Sequence, residues 1–442
     1  MKAKLIPIYY ETAQDPDFLN QVGMLKRLLA EEGEILEPVK LGSPLPEADA
    51  VVFPQMLGNA YRQSEAIRAI PLPRLVITSE FGTVSMWDWE INRYLHSEGI
   101  EVVAPYHLAQ TKAICKALSL KRELHQTRFL VYQDNPGEGF QASIFKRFYW
   151  WEQECTQRMN RQFGVQVVKK SYKTLATTAK QIPDRAAKDT WEKWQSRLTI
   201  GEISPRALQS AIKLYLAIKQ DLDKDASVKA IGINCLNESH FSDTTPCLAW
   251  NMLFEEQMLL WGCEADSVSM LTEYLIYKSL GTPVMMTNLY PFLMGQAAIK
   301  HERIPDFPKV SEEPENHILA AHCGYFGVVP QSFSTEWALR KKVLAIVDEN
   351  ASALDARLPT GDITLIKLEP TFQSISVIEG TLEGYAQFAG SDCLNGAVIK
   401  VRDGHGLLKQ VASHHYIIST GHQAATIENI AKVFGLAMTT SR

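Results

Sequence analysis

Residues 5–39, LIPIYYETAQDPDFLNQVGMLKRLLAEEGEILEPV, contain the pattern that determines the fold class. Two apolar runs, residues 5–10 and 35–39, are too short for helices and are typical of buried strands. The polar stretch between them, residues 17–32, predicts a helix that begins near Asp17 and ends at Gly33. This strand–helix–strand order predicts a parallel sheet covered by helices.

The same alternation continues through the first two thirds of the chain. Further strands are predicted at residues 50–53, 75–78, 102–104, 129–132 and 228–234, and further helices at residues 60–70, 143–163 and 206–223. We therefore expect two parallel-sheet α/β domains, residues 1–124 and 125–300. In such sheets, ligand-binding loops lie at the carboxyl ends of the strands.

The pattern changes after residues 303–315, a Pro-rich, acidic segment that predicts a surface loop. Strands then follow closely, separated by turn residues and without crossover helices, at residues 343–347, 363–367, 374–378, 397–401 and 416–419. This spacing predicts an antiparallel sheet or barrel, followed by a helix at residues 426–434. The third domain, residues 301–442, is therefore expected to be β-rich and barrel-like.

Composition and charge exclude several classes of protein. The 442 residues are 46% hydrophobic and 21% charged, which is typical of a globular chain. The net charge is −5 and basic runs are short, so no nucleic-acid partner is expected. No uncharged apolar run reaches the about 18 residues of a membrane span, and no export signal is recognised. The seven scattered cysteines favour reduced thiols in the cytoplasm.

Glu264 is the first candidate for chemistry. If residues 263–280 form a helix, Glu264 begins an apolar stripe that continues with Val268 and Leu271. A buried carboxylate must be capped, protonated, paired or metal-bound, since burying even a neutral polar group costs about 2–7 kcal/mol. A capping acid near the helix N-terminus is the simpler explanation, and metal binding is the functional alternative.

Asn288 and three histidines are further candidates. Asn288 follows an apolar run, residues 283–287, which predicts a buried strand. At the end of a parallel strand a polar side chain commonly faces the site crevice, whereas the simpler explanation of Asn288 is a generic loop residue. His414 and His415 stand side by side ahead of an apolar strand, so alternation predicts that they point to opposite faces. His322 also ends an apolar run and is either a satisfied structural group or a ligand.

Two loops are open to a functional and a structural interpretation. Residues 79–90, SEFGTVSMWDWE, follow a predicted strand and include Glu80 and Trp87, so they form either a site loop or an aromatic-anchored helix start. Residues 135–139, NPGEG, resemble an anion-binding turn but lack the Lys and the Gly spacing of nucleotide-binding motifs. A tight strand-to-helix turn is the simpler explanation of the second segment.

Five short segments resemble motifs of the L-fucose isomerase/L-arabinose isomerase superfamily, in order and in spacing. They are PCLA (246–249), GCEAD (262–266), TN (287–288), LAAH (319–322) and SHHY (413–416). The match extends over roughly the last 200 residues. The first 125 residues match mainly as an α/β domain with the loop at 79–90.

The resemblance implies a three-domain subunit in a homo-oligomer, with its site at a subunit interface. It implies interconversion of the aldose and ketose forms of an open-chain sugar, with Mn²⁺ or another divalent ion such as Mg²⁺ acting as Lewis acid. By position, Glu264 is a metal ligand and catalytic base, His415 is a second ligand, and Asn288 stands at a third ligand position. The residues then expected to contact the sugar are His322, Glu80, Trp87 and Tyr325.

Two departures from the family pattern leave the activity open. Asn288 lies 24 residues after Glu264, where the fucose branch has Asp and the arabinose branch has Glu. An amide can coordinate a metal through its oxygen, but it cannot act as a base. Tyr325 stands where the arabinose branch has its second catalytic Glu, and the middle His ligand of that branch has no counterpart. Candidate substitute carboxylates are Glu80, Asp134, Glu138, Glu238, Asp243 and Asp266.

The expected function is a cytoplasmic, metal-dependent, isomerase-like protein that acts on sugars by enediol proton transfer. The first alternative is a non-catalytic carbohydrate-binding or regulatory homologue that lost an acid/base carboxylate at Asn288. A periplasmic-type solute-binding protein is a further alternative, which the β-rich third domain disfavours. The last alternative is a nucleotide-dependent enzyme that uses the turn at residues 135–139.

Overall fold

The computed structural model describes residues 1–56, 58–78, 88–134, 153–290, 313–322, 329–341, 351–387 and 395–440. The chain divides into two compact units. The first comprises Met1–His125, Lys278–Gly281 and Ala425–Ala437, and the second comprises Gln126–Tyr277, Thr282–Ala424 and Met438–Arg442. The domain boundaries predicted at residues 124 and 300 remain predictions.

The first unit contains a parallel β-sheet with helices, as the strand–helix alternation predicts. In chain order its elements are β1 (Ala3–Tyr9), α1 (Pro16–Leu28), β2 (Gly33–Ile35), β3 (Val39–Lys40), β4 (Ala50–Phe53), α2 (Asn59–Arg62), α3 (Ser64–Arg68), β5 (Arg74–Val76), α4 (Asp88–Ser97) and α5 (Leu108–Leu124). The strand order is β2-β1-β4-β5, β3 also pairs with β1, and these pairings are parallel. Buried Ile6, Val51 and Val76 belong to its core.

Local boundaries in this unit differ from the sequence prediction. The strand predicted at residues 35–39 is divided between β2 and β3, with Pro38, which has no N–H to donate, between them. Helix α1 is capped by Asp15 and not by Asp17, because the Asp15 carboxylate accepts two backbone N–H groups of the first turn. The strand predicted at residues 102–104 contributes an isolated parallel bridge.

The second unit begins with another parallel sheet. Its elements are β6 (Arg128–Tyr132), α6 (Gln153–Phe163), β7 (Gln166–Lys170), α7 (Tyr172–Gln181), α8 (Asp184–Trp194), β8 (Thr199–Ile200), α9 (Pro205–Leu222), β9 (Val228–Ile233), α10 (Cys235–Glu238), α11 (Cys247–Gln257), β10 (Leu260–Cys263) and α12 (Ser267–Leu280). The sheet order is β10-β9-β6-β7, and every pairing in it is parallel. The α/β class predicted from the sequence is therefore confirmed.

The remainder of the chain is rich in strands. Its elements are β11 (Val284–Tyr290), β12 (His317–Ala321), β13 (Glu336–Lys341), β14 (Ser352–Arg357), β15 (Gly361–Leu368), β16 (Ser374–Ala386), β17 (Gly396–Lys400), β18 (His415–Thr420), α13 (Ala424–Phe434) and β19 (Ala437–Thr440). One sheet has the order β15-β18-β11-β12-β17-β16-β19, and β15 also pairs with β16. Its ring of strands is uneven, so a strand-rich region is confirmed and a barrel is not.

A smaller sheet has the order β14-β13-β8, in which β13 and β14 are antiparallel and β8 is parallel to β13. The strand predicted at residues 343–347 and most of the loop predicted at 303–315 lie outside the described residues. Among the helices in the described ranges, none combines the length and the apolar composition needed to cross a bilayer.

Two glycines let α12 approach the parallel sheet closely. A Cβ atom on Gly262 would lie 2.6 Å from Cγ of Met270 and 2.9 Å from the backbone oxygen of Asp266. A Cβ atom on Gly232 would lie 3.0 Å from Cα of Ala265. Because no side chain stands between them, the turn from β10 into α12 packs directly against the ends of β9 and β10.

We expect Gly262→Ala to destabilise the second unit by about 1–3 kcal/mol, because the new methyl group overlaps backbone as well as side-chain atoms. Urea denaturation followed by circular dichroism measures the loss. Gly384→Ala is the matched control, since its added Cβ atom meets nothing within 4 Å. Equal stabilities for the two variants would contradict the close packing of α12.

Candidate metal centre

The turn between β10 and α12 contains Glu264, and its backbone prevents a helix there. Glu264 and Ala265 both have left-handed backbone, with φ of 53° and 61°. Helix α12 begins only at Ser267, so the prediction of a helix over residues 263–280 is wrong at its start. Such conformations cost about 1–2 kcal/mol per non-glycine residue and concentrate at functional sites. Glu264 therefore lies on a strained strand-to-helix turn and not on the stripe of a helix.

Asp266 is the residue that caps α12. Its Oδ1 accepts the backbone N–H of Ser269 at 2.9 Å, which is the hydrogen bond of a helix N-cap. Its Oδ2 accepts the Ser269 hydroxyl at 2.7 Å and the ammonium group of Lys367 at 2.9 Å. The capping role considered for Glu264 thus belongs to Asp266.

Strand β11 brings Asn288 to the same place. The sequence pattern predicts Asn288 at the end of a strand in a parallel sheet, which is wrong because β11 is antiparallel to both of its neighbours. In this register Asn288 pairs with His415 of β18 and with Ala321 of β12, and directly paired residues share one face of a sheet. Oδ1 of Asn288 is buried and has no hydrogen-bond partner among the described residues.

His415 connects the turn to the antiparallel sheet. Its Nδ1 lies 3.0 Å from Oδ2 of Asp266, and its Nε2 lies 3.9 Å from Oε2 of Glu264. The side chain of His415 is 1% exposed, whereas that of Glu264 is 17% exposed. The imidazole is therefore held on one side by Asp266 and presents its other nitrogen to Glu264.

His414 joins the same cluster, although alternation predicts that it points away from His415. That prediction is wrong because β18 begins only at His415, so His414 precedes the strand. The two imidazole rings are 3.9 Å apart between centroids. One ligand atom from each of Glu264, His414 and His415 lies within 4.8 Å of the others. We call these three residues the metal cluster.

The charges around the metal cluster are set by burial. Burial alone would raise the pKa of Asp266, but the Lys367 ammonium and the hydrogen bond from His415 outweigh it and hold that pKa below its usual value. Burial lowers the pKa of Lys367, and the Asp266 carboxylate opposes this effect. Burial and the neighbouring His415 lower the pKa of His414 well below its usual value. The imidazole of His414 is therefore neutral, as a metal ligand must be.

The donor atoms fit a divalent cation. The cluster offers one carboxylate and two imidazoles, and Asn288, whose amide oxygen is buried, stands opposite His415 in the register of the sheet. Ligand atoms around one six-coordinate ion lie about 3–4 Å apart, and the 3.9 Å between Glu264 and His415 agrees with that spacing. A set of one carboxylate and two imidazoles is compatible with several divalent transition-metal ions, and the hydrogen bond between Asp266 and His415 is typical of the second shell of metal-bound histidines. The structure does not identify the ion.

Other candidates have different surroundings. His322 is buried beside Trp261, with ring centroids 6.0 Å apart in an edge-on arrangement. Among the described carboxylates considered as substitutes, Asp266 lies beside the metal cluster. Asp243 instead forms ion pairs with Lys180 and Arg206.

Glu238 accepts the backbone N–H of Asp134 at 2.7 Å, and the Asp134 carboxylate accepts the backbone N–H of Lys173 at 2.9 Å. Four of the candidates predicted from the sequence, and the turn at 135–139, lie outside the described residues: Glu80, Trp87, Glu138 and Tyr325.

Sequence reasoning missed Lys367, whose side chain is completely buried. It lies in the run ITLIKL, residues 363–368, which predicts only a buried strand. A single Lys inside such a run was an available signal, because a buried ammonium group requires a carboxylate partner.

No protein-family model matches this chain, and no curated protein matches it either.

A second buried carboxyl group lies in α12. Glu273 is 1% exposed, and neither of its carboxylate oxygens has a hydrogen-bond partner among the described residues. Burial raises its pKa well above the usual value, and the nearby backbone N–H groups of Trp261 and Met286 oppose this only in part. We therefore expect Glu273 to retain its proton in the folded protein above the usual titration range of glutamate.

We expect Glu273→Gln to stabilise the protein increasingly as the pH rises. Because the folded-state pKa is raised, the folded protein retains a proton that the unfolded chain releases, so this carboxyl group costs stability above the usual glutamate range. Glutamine has the same shape and no such proton. The thermal midpoint, measured by calorimetry from about pH 5 to pH 8, should fall less for the variant than for wild type.

The control is Glu202→Gln, at an exposed carboxylate, which should follow the wild-type pH dependence. If wild type and Glu273→Gln show the same dependence on pH, Glu273 is not neutral in the folded state.

Proposed function

We propose that this protein is a metal-dependent, aldose–ketose isomerase-like protein that acts on an open-chain sugar. The observation that supports this most strongly is the convergence of Glu264 and His415, from distant segments, on one cluster with His414. These are the residues that the family resemblance marks as a ligand and base and as a second ligand. A bound Mn²⁺ or Mg²⁺ would supply Lewis-acid polarisation of the sugar's carbonyl and hydroxyl oxygens.

Within this proposal, Glu264 is the proton carrier. Its carboxylate removes the proton from C2 of the aldose, which leaves an enediolate, and then returns that proton to C1. The hydroxyl proton of O2 moves to O1 in the same conversion, so that the carbonyl group of the ketose forms at C2. A single base on one face of the enediol is sufficient for this transfer. Asn288, which cannot act as a base, orients a sugar hydroxyl or contributes an oxygen ligand instead.

The partial exposure of Glu264 supports this assignment. A base must reach the substrate, and Glu264 is 17% exposed, whereas His415 is 1% exposed. Asp266 is unsuited to the role because its carboxylate is fully buried and holds Ser269, Lys367 and His415. His322, Glu80, Trp87 and Tyr325 remain the proposed contacts to the sugar.

The proposal includes the further features that the resemblance implies. They are a homo-oligomer with its site at a subunit interface, a barrel-like C-terminal region, and a cytoplasmic location.

The alternative is a carbohydrate-binding homologue without catalysis. It is favoured by one observation, that an amide stands at Asn288 on the sheet face of His415, where a second carboxylate would assist proton transfer. Binding of a sugar needs hydrogen-bond donors and acceptors and no base, so the altered position affects only the catalytic proposal.

Solvent-deuterium exchange distinguishes the two functions. We expect wild type with Mn²⁺ to incorporate deuterium at C1 or C2 of a pentose, hexose or deoxysugar, detected by NMR or mass spectrometry. Glu264→Gln should lower the exchange rate by about 10²–10⁴-fold, because the base is removed and the shape is kept. Glu202→Gln, at an exposed carboxylate, should exchange at the wild-type rate. Sugar binding without exchange, with Mn²⁺, Mg²⁺ and Co²⁺ alike, would support the alternative.

Metal binding can be tested without a sugar. We expect Mn²⁺ to raise the thermal midpoint of the wild type, since an ion at 100 times its dissociation constant stabilises the folded state by about 2.7 kcal/mol. His415→Ala should lose most of this stabilisation, and His405→Ala, at an exposed histidine, should keep it. Equal Mn²⁺ responses of both variants would exclude His415 as a ligand.

A further inference from the structure

Lys367 occupies an unusual position for a charged residue. It lies in β15, its side chain is 0% exposed, and its neighbours Leu365, Ile366 and Leu368 are buried and apolar. Its ammonium group donates to Oδ2 of Asp266 at 2.9 Å and to the Ser269 hydroxyl at 2.6 Å. These contacts compensate a charge that would otherwise cost several kcal/mol to bury.

Oδ2 of Asp266 is the acceptor that Lys367 shares with His415. The same oxygen lies 2.9 Å from the Lys367 nitrogen and 3.0 Å from Nδ1 of His415. A carboxylate that accepts the Nδ1–H of a histidine selects the tautomer in which Nε2 is unprotonated and carries a lone pair. In His415 that Nε2 atom is the one 3.9 Å from the Glu264 carboxylate.

We propose that Lys367 is a positioning residue for the metal cluster, because it holds the Asp266 carboxylate against Nδ1 of His415 and thereby directs Nε2 toward the ion. The inference rests on the proposed metal site and adds a residue that does not touch the ion. It connects three segments in one line of contacts, from β15 through the cap of α12 to the start of β18.

The direction in which metal affinity changes when Lys367 is replaced distinguishes a positioning role from simple charge repulsion. An ammonium group near a bound divalent cation repels it, so removing that charge should by itself tighten metal binding. Loss of a positioning contact should instead weaken binding, because His415 is no longer held in the ligating tautomer. Second-shell substitutions of this kind typically cost about 10–100-fold in metal affinity.

A matched control separates positioning from general packing. Thr272 also connects α12 to β15, since its hydroxyl accepts the backbone N–H of Leu368 at 3.2 Å. Thr272→Val removes a buried hydrogen bond at the same interface without touching Asp266 or His415. A merely structural role for Lys367 predicts that both variants behave alike.

The experiment compares Mn²⁺ dissociation constants of the full chain by calorimetric titration. We expect Lys367→Met to raise the constant about 10–100-fold, Thr272→Val to leave it unchanged, and Lys367→Gln, which keeps a donor for Asp266, to recover part of the loss. In the Asp266→Asn background, Lys367→Met should add little, because the contact it supports is already gone. Unchanged or tighter Mn²⁺ binding by Lys367→Met would overturn the proposal.

A second readout needs neither metal nor activity. The ¹⁵N shifts of the His415 ring, measured in metal-free protein labelled at histidine, report which nitrogen carries the proton. We expect Nδ1–H in wild type and in Thr272→Val, and a mixture of tautomers in Lys367→Met and, to a smaller extent, in Lys367→Gln. The same tautomer in wild type and in both Lys367 variants would overturn the inference, whether or not the protein proves to be an isomerase. Mn²⁺ binding without sugar turnover would refute the proposed isomerase activity and would leave the proposed role of Lys367 intact.

Discussion

The second unit depends on the compensation of one buried charge, the carboxylate of Asp266. This side chain is fully buried, and it accepts hydrogen bonds from Ser269, Lys367 and His415. An uncompensated carboxylate in that position would strongly destabilise the folded state, so the hydrogen bonds from Ser269, Lys367 and His415 are needed together. Through them the carboxylate caps α12 and connects the parallel sheet to two strands, β15 and β18, of the antiparallel sheet.

The turn beside this carboxylate is strained, and its surroundings explain why the strain is tolerated. Glu264 and Ala265 have left-handed backbone, and the N–H of Ala265 donates to the oxygen of Ile233 at 3.0 Å. Gly232 and Gly262 allow the turn to pack this closely, because a Cβ atom at either position would lie 3.0 Å or less from atoms of the turn or of α12. The result is a carboxylate that is partly exposed at the end of β10, next to the buried imidazole of His415 and the partly exposed imidazole of His414. That combination suits a group that must hold an ion and also meet a substrate.

Several parts of the candidate site could be predicted from the sequence because they follow from local patterns. Glu264, His322 and His415 all stand next to short apolar runs. Glu264 and His415 belong to the metal cluster, and His322 packs against Trp261 of β10. His414 was assigned to the wrong face, because alternation applies only inside a strand and β18 begins one residue later. Lys367 was missed because nothing in a run of strand residues indicates which distant carboxylate it will meet.

The sequence by itself determined the α/β class, the change to strands after the second parallel sheet, and the positions of elements such as β1, β4, β6, α9 and β15, since periodicity and turn residues act over a few positions. Only the tertiary structure decided that α12 begins at Ser267, that Asp266 is its cap, and that Asn288 stands opposite His415. These outcomes depend on pairing between strands far apart in the chain and on the need to compensate every buried charge. Neither can be evaluated until the distant segments are in contact.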